Sequence, residues 1–592
     1  MPHPTLVLDA ATTGGFLMVQ SLALPVAGIL LAFVVGGRYV ERIALAVMAL
    51  SFANTIAILF ALRRAGGSLL YLLGGWAPPL GVALRADGLS AVMMLATAVV
   101  ICAVGVSALA DFYAHGAEAR APFTFWILLL AIWAALNTIF LGGDLFTLYV
   151  ALELLTFAAV PLVCLDGRAE TLQAALRYLL FALLGSTLYL VGTALLYGTY
   201  STLDIVLLSQ RIGVQPATLV AVALMTVGLL AKTALSPLYL WLPPAHAGAP
   251  APASAVLSAL VVKGSFFIVV RIWFDVMPRL PGFAAPQLLA ALGAAAILFG
   301  SVLALRQERL KLLVAYSTVA QLGYLFLMFP LALGTGSAHL YSGYALTGGM
   351  VQAISHATAK AAMFIAAGSI YAALGHDRIA ELGGIARALP MSVCAFALGG
   401  MALIGVPPSG TYLAKQLLLQ AASGTEQWWW ALVLQTGGIF TSGYLFLVLV
   451  HALTPADKPM TLRVRIPRLQ QAAALALALC SLLLGLAPWK WYLSVPFEVP
   501  SEPLTLTTVL TSLWLIVGGG VLAILFGRWG NQLANIRFAK ILVAIVAPLR
   551  RMSLAIGRMI ERVDRMLCQW PAAVFSLMIL AILFGAALLA VR

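Results

Sequence analysis

The sequence predicts an all-α polytopic membrane protein, and three observations carry that prediction. Of 592 residues, 63% are hydrophobic and only 9% charged, where a soluble domain carries about 25% charged residues; the mean hydropathy is +1.04. Apolar runs of about 20 residues, the length that crosses a hydrocarbon core, recur along the whole chain. The net charge of +14 collects in alternate loops rather than on one face. That placement sets topology and leaves no basic patch for nucleic acid.

Roughly sixteen spanning helices are expected, starting near residues 16, 42, 89, 122, 144, 172, 216, 253, 286, 309, 340, 391, 429, 470, 506 and 571. The first lacks a basic n-region and a small-residue cleavage site, so it reads as a retained helix and not as a signal peptide. The seventh is interrupted at Ser236–Pro237 and the twelfth at Gly405–Val406–Pro407–Pro408. Proline removes a backbone donor and clashes with the preceding turn. The two breaks lie five helices apart; an odd spacing reverses orientation, so they read as corresponding parts of inverted repeats. Loops are short, and the longest polar stretch, 454–468, is a connection. After the fifteenth helix ends near Phe526, about forty residues alternate apolar positions with Arg537, Lys540, Arg550, Arg551, Arg558, Arg562 and Arg565. A basic amphipathic helix lies along the interface, here over about 55 Å at 1.5 Å per residue, with a kink expected at Pro548. It is either a surface helix held by anionic lipid or a lateral brace against a neighbouring subunit. Pro571 opens the final apolar helix.

With the N-terminus outside, the inner loops hold Arg38, Arg42, Arg120, Arg168, Arg306, Arg309, Lys311, Arg378, Arg387, Lys458, Arg463, Arg465 and Arg468. The outer loops hold mainly Arg63, Arg64, Arg85, Arg211, Arg271, Arg279 and Lys490. The positive-inside rule then faces both termini outwards and sets the lateral helix on the cytoplasmic side of a bacterial inner membrane.

Redox and nucleotide chemistry find no residues here. The five cysteines (Cys102, Cys164, Cys394, Cys480, Cys568) are scattered, without a CxxC or Cys/His cluster. No GxGxxG follows a strand and no Walker loop occurs. The expectation is no cofactor, no metal and no redox centre of the chain's own.

Six ionisable residues fall well inside apolar helices: Glu153, Lys232, Lys263, His356, Lys360 and Lys415. A charge at a helix centre costs roughly 3 kcal/mol or more in hydrocarbon, so each needs a reason. Glu153 could merely pin packing, Lys263 could snorkel, and His356 could be a satisfied core histidine. Yet Lys263 sits about ten residues into its helix, too deep for an easy exit, and His356 and Lys360 in HATAK share a helix face. Together the six read as a line of protonatable groups. Burial disfavours the charged form while an opposite charge restores it, so separating or joining Glu153 and Lys232 would unload or load a proton. The broken helices supply free backbone dipoles beside Lys232 and Lys415.

Five stretches carry a family resemblance: GGDLFTLYVALEL (142–154), LLAKTALSPLYLWLPPAHAGAPAPASAVLSALVVK (229–263), ERLKLLVAYSTVAQLGYLF (308–326), SHATAKAAMFIAAGS (355–369) and GVPPSGTYLAKQLLL (405–419). They resemble the antiporter-like subunits of respiratory complex I. They are similar, more closely, to the D-type subunit of Mrp-type sodium/proton antiporters and to related subunits of membrane-bound hydrogenases. GGWAPPLGVALRADGLSAV (74–92) resembles the family's extracellular hairpin. The resemblance covers roughly residues 70–450. It implies about 14 core helices with two inverted five-helix repeats, helices four to eight and nine to thirteen. It also implies roles: Glu153 and Lys232 as a paired loading site, Lys263 as the link between half-channels, His356 and Lys360 as the connecting HxxxK pair, and Lys415 as the gate of one exit. The amphipathic helix and last span resemble the end of the largest complex I antiporter-like subunit, whose lateral helix is longer. The parent assembly stays open among these relatives.

The expected divisions are 1–121 for helices one to three, 122–275 and 286–452 for the repeats, 469–527 for helices fourteen and fifteen, 528–570 for the lateral helix and 571–592 for the last span. The expected function is proton translocation, with sodium as the candidate exchanged ion, by a membrane subunit whose partners are other membrane subunits. Alternatives are a proton-driven module for inorganic-carbon uptake and a stand-alone secondary transporter. Membership of a quinone- or hydrogenase-type oxidoreductase complex would make it part of an enzyme.

Overall fold

The computed structural model describes residues 12–112, 120–277, 282–333, 338–455, 462–493, 506–526 and 537–590. Arg279, Lys458 and residues 528–536 of the expected lateral segment lie outside the described residues.

With no water in hydrocarbon to satisfy them, backbone groups must pair within the helices or be capped. The sequence caps several ends. Asp87 accepts from Ser90 N ahead of Gly88–Ala108, and Asp144 accepts from Phe146 N and Thr147 N ahead of Leu145–Val163. Fourteen helices among the described residues are long and apolar enough to cross a membrane. Leu506–Phe526 and the pair Pro390–Ile404 and Gly410–Gly424 complete the expected sixteen crossings.

The first break is a loss of helix between Thr233 and Leu242, begun by Ala234 in the left-handed conformation (φ 58°). Trp241 donates its indole N–H back to the Ala231 carbonyl at 3.0 Å, beside the capping bond from Ala234 N at 3.2 Å. The second break follows Ile404, where Gly405 at φ 90° takes a conformation that a β-carbon would strain. The two repeats pack alike. In each, the first two helices cross closely, and the third lies along the half of the broken helix that bears the lysine. The third helix of the second repeat, Ala338–Leu374, is 37 residues long. It packs on both halves of the second broken helix and on Ala251–Val261 of the first repeat, so it forms the seam between repeats.

At one end of the bundle, Leu69–Leu72 pairs antiparallel with Ala83–Ala86. Arg271 bonds both carboxylate oxygens of Asp87 at 2.6 and 2.7 Å, and Arg85 reaches Asp204 at 3.1 Å. These bonds tie the expected hairpin to the eighth helix and to the 201–215 loop.

The amphipathic segment forms one helix, Arg537–Leu567, of 31 residues. That is about 46 Å over the described residues, and it stays helical through Pro548. The C-terminal half of this helix docks on its own chain. Arg306 Nε donates to Glu561 at 2.6 Å. Asp564 accepts from Tyr239 at 2.9 Å and Tyr316 at 3.0 Å. The last helix, Trp570–Leu589, then packs against Pro216–Thr233 and Ala284–Leu305. Leu549, Met552, Ile556 and Met559 face outwards from the lateral helix.

Candidate functional site

The site starts where two helices touch backbone to backbone. A β-carbon on Gly228 would lie 2.3 Å from the Gly185 carbonyl, and one on Gly185 would lie 2.6 Å from that of Gly228. Small residues are what allow such an approach in a membrane. The contact brings Ser186 against Lys232, whose Nζ donates to the serine hydroxyl and to the Leu152 carbonyl at 3.4 Å. Lys232 occupies the last turn of its half-helix, where the negative end of the helix dipole favours a cation. Its ion pair with Glu153 is long, 3.5 Å. Glu153 Oε2 has no partner, and its helix exposes Val150, Leu154 and Phe157 at the bundle's edge. The pair is in contact but not clamped.

Inward from Lys232 lies a cavity of 10 Å³ lined by Thr156, Tyr178, Val261 and Ser265, room for about one water. Beyond it the eighth helix widens into a π turn at Leu257–Val261. Such turns place backbone groups where an α-helix would bond them away. The Ser258 carbonyl accepts from Lys263 Nζ at 2.6 Å, and the same Nζ lies 2.5 Å from His356 Nδ1. His356 Nε2 has no partner. One turn on, Lys360 donates to Ser317 Oγ at 2.5 Å and to the Val314 carbonyl at 3.3 Å. Lys263, His356 and Lys360 are 1% exposed or less. None of the three is in an ion pair with a carboxylate among the described residues. Full charge on all three would place like charges side by side in a dry interior, which costs far more than proton loss.

Lys415 lies beyond the second break and donates to the Ile404 carbonyl at 2.7 Å, at the C-terminal end of the preceding half-helix. Its Nζ also lies 5.8 Å from the centre of the Tyr324 ring. Both half-helix lysines thus sit at negative helix ends, but among the described residues only Lys232 has a carboxylate beside it.

Two buried groups escaped the sequence reading. His246, 1% exposed, stacks on Phe364 at 4.6 Å with both ring nitrogens unpartnered. Lys311, counted among loop charges, is 6% exposed and donates to the Ala249 carbonyl at 2.8 Å. Lys311 lines a 470 Å³ cavity with Asp111, Asp166, Arg168, Tyr371 and the backbone at Gly248–Ala251. The signal for His246 was its place in PPAHAG, just past a helix break.

Residues 142–441 match the family described as NADH:quinone oxidoreductase/Mrp antiporter, TM. The chain is 33% identical over 421 residues to NADH-quinone oxidoreductase subunit N of Desulforudis audaxviator, covering 70% of this chain and 80% of that one. It is 28% identical over 390 residues to the D-type Na(+)/H(+) antiporter subunit of Alkalihalophilus pseudofirmus, covering 65% and 76%. In fold it is similar to a chain of the Mrp complex from Dietzia sp., with a TM-score of 0.72, 23% identity and coverage of 87% and 97%.

Proposed function

The chain belongs to the NADH:quinone oxidoreductase/Mrp antiporter transmembrane family, and on that premise we propose that it is an antiporter-like, proton-translocating subunit of a multisubunit membrane complex. The observation that carries the reading is the Lys263–His356 contact at the seam, which links the lysine of one repeat to the connecting helix of the other.

The residues act in sequence. Lys232 holds a proton while Glu153 is beside it and loses it towards the interior when the pair opens, because an unpaired buried ammonium is costly. Lys263 and His356 share that proton, and Lys360 carries it into the second half. Lys415, stabilised by a helix end and not by a carboxylate, releases it. Each transfer relieves the next like-charge contact, so occupancy moves along the line without any site holding a permanent charge.

Other membrane subunits are the partners, and sodium is the candidate exchanged ion. The basic loops face the cytoplasm, with the lateral helix on that side of a bacterial inner membrane. The test uses vesicles holding the complete complex, energised by a sodium gradient or by a respiratory donor, with a pH-sensitive dye inside. Proton flux that disappears on deleting this chain and returns with the wild type supports the reading. Undiminished flux without the chain refutes it.

A further inference from the structure

Lys263, Phe267 and Arg271 follow one another at spacings of four on one face of Val262–Arg271. From the first to the last is about 12 Å along the helix axis. The Phe267 ring is fully buried. It carries the Arg271 guanidinium over its face, 4.8 Å from the ring centre, and meets the Phe140 ring edge-on at 5.0 Å. Past Arg271 opens a cavity of 340 Å³, whose polar lining comes from Ser68, Arg85, Asp87, Ser209, Arg271 and Asp275. The loops around this cavity are those read as outer. Along this helix face, one aromatic ring and one arginine separate the buried lysine from an open cavity that the proposed relay does not use.

The hydrogen bonds of the arginine decide what can pass. Arg271 Nη1 donates to Asp87 at 2.6 Å and to Asp275 at 2.7 Å, and Nη2 donates to Asp87 at 2.7 Å and to Ser90 Oγ at 2.8 Å. The Asp87 and Asp275 side chains are 38% and 36% exposed against 12% for Arg271. The carboxylates thus face the cavity and the guanidinium lies behind them. A guanidinium has five N–H donors and no acceptor, and it keeps its proton at any usable pH. A proton entering from the cavity can bind a carboxylate, but the next group offers it no lone pair. The branch through Ser90 also ends, because that hydroxyl donates to the Phe140 carbonyl at 2.6 Å. Packing does not explain the three charges, since exchanging a buried ion pair for apolar side chains is often neutral or stabilising.

We propose that Arg271 seals the proton line on its outer side, as a permanently charged, donor-only group that ends the hydrogen-bonded route from the outer cavity before it reaches Lys263. The inference rests on the proton-translocating reading and the topology above, and adds that the first repeat is closed outwards at its eighth helix. No bond forms or breaks in this role. The fixed charge repels an approaching proton, as an arginine does in a water-conducting pore, and the missing acceptor stops transfer in either direction. Outward release is thereby left to Lys415, and a proton held at the Lys263–His356 contact is not lost by a short circuit.

The test measures passive leak. Vesicles holding the complete complex, with no respiratory donor and no sodium gradient, receive a potassium diffusion potential, and a dye inside follows proton entry. Arg271→Gln should assemble and raise the leak about tenfold or more, the effect of lowering a barrier by about 1.4 kcal/mol. Asp87→Asn keeps a residue that caps a helix well and leaves the arginine held by Asp275 and Ser90, so it should stay as tight as the wild type. A merely structural clamp predicts otherwise, because Asp87→Asn weakens that clamp and would leak too. If Arg271→Gln alone fails to assemble, combining it with Asp87→Asn removes both members of the pair together, and the same leak decides. A wild-type leak in the assembled Arg271→Gln form, or equal leaks in Asp87→Asn and Arg271→Gln, overturns the seal. A wild-type complex that moves no protons when energised overturns the translocation reading, while the leak comparison still decides the seal.

Discussion

Lys263 Nζ and His356 Nδ1 lie 2.5 Å apart on helices of different repeats, and neither side chain is in an ion pair with a carboxylate among the described residues. On the proposed function the two share one proton across the seam. His356→Gln keeps a polar side chain of similar reach but cannot exchange protons. It should assemble normally and lower proton flux about a hundredfold, the scale of one acid–base group. Flux in vesicles at matched subunit content measures this, and unchanged flux would make His356 a packing residue.

Glu153→Ala should abolish pumping while leaving the complex intact. Its 3.5 Å contact with Lys232 is long, and Lys232 keeps Ser186 and the Leu152 carbonyl as partners. The stability lost should be roughly 1–3 kcal/mol, that of one charge-assisted bond. Thermal melting and co-purification check the structure, and dye-detected flux checks the pump. An active variant would remove Glu153 from the loading site.

The close crossing at Gly185 and Gly228 is a structural requirement of the same site. Gly228→Ala puts a methyl group 2.3 Å from the Gly185 carbonyl and must part the helices, at a cost of about 1–3 kcal/mol for overpacking. Ser186 then moves away from Lys232. The expected outcome is a lowered melting temperature together with slowed flux. A variant with both properties unaltered would mean that the helices tolerate separation.

Docking of the lateral helix should depend on pH. Burial pushes the Asp564 carboxyl above its ordinary value, partly opposed by the hydrogen bonds from Tyr239 and Tyr316. The folded state therefore holds this proton more tightly than the undocked one. Docking is strongest below the ordinary carboxylate range and weakens as pH rises from there through the raised value. Hydrogen exchange of Arg537–Leu567 against pH should show that trend, and Asp564→Asn should flatten it. A slope that survives in Asp564→Asn would assign the effect to other groups, such as Glu561.

What the sequence could reveal depended on contrast. Glu153, Lys232, Lys263, Lys360 and Lys415 stood out because each places charge in an apolar run, and the proline-bearing breaks were marked by residues that cannot continue a helix. The π turn at Leu257–Val261 left no trace, since its residues are as apolar as a regular helix would use. Lys311 was hidden by standing at a helix mouth, where lysines usually set topology. Asp564 was not singled out, because its partners lie 325 and 248 residues away, a proximity that only the fold creates.

The central claim is that protons, and not fixed charges, occupy the buried lysines, and Lys263→Arg and Lys232→Arg test it most directly. Arginine keeps the positive charge and stays protonated at any usable pH, whereas a buried lysine can give its proton up. The measurement is proton uptake by vesicles holding equal amounts of assembled wild type, arginine variants and alanine variants. The account predicts that both arginine variants fail nearly as badly as their alanine counterparts. Robust uptake by Lys232→Arg or Lys263→Arg would show that the site needs charge alone, and would contradict it.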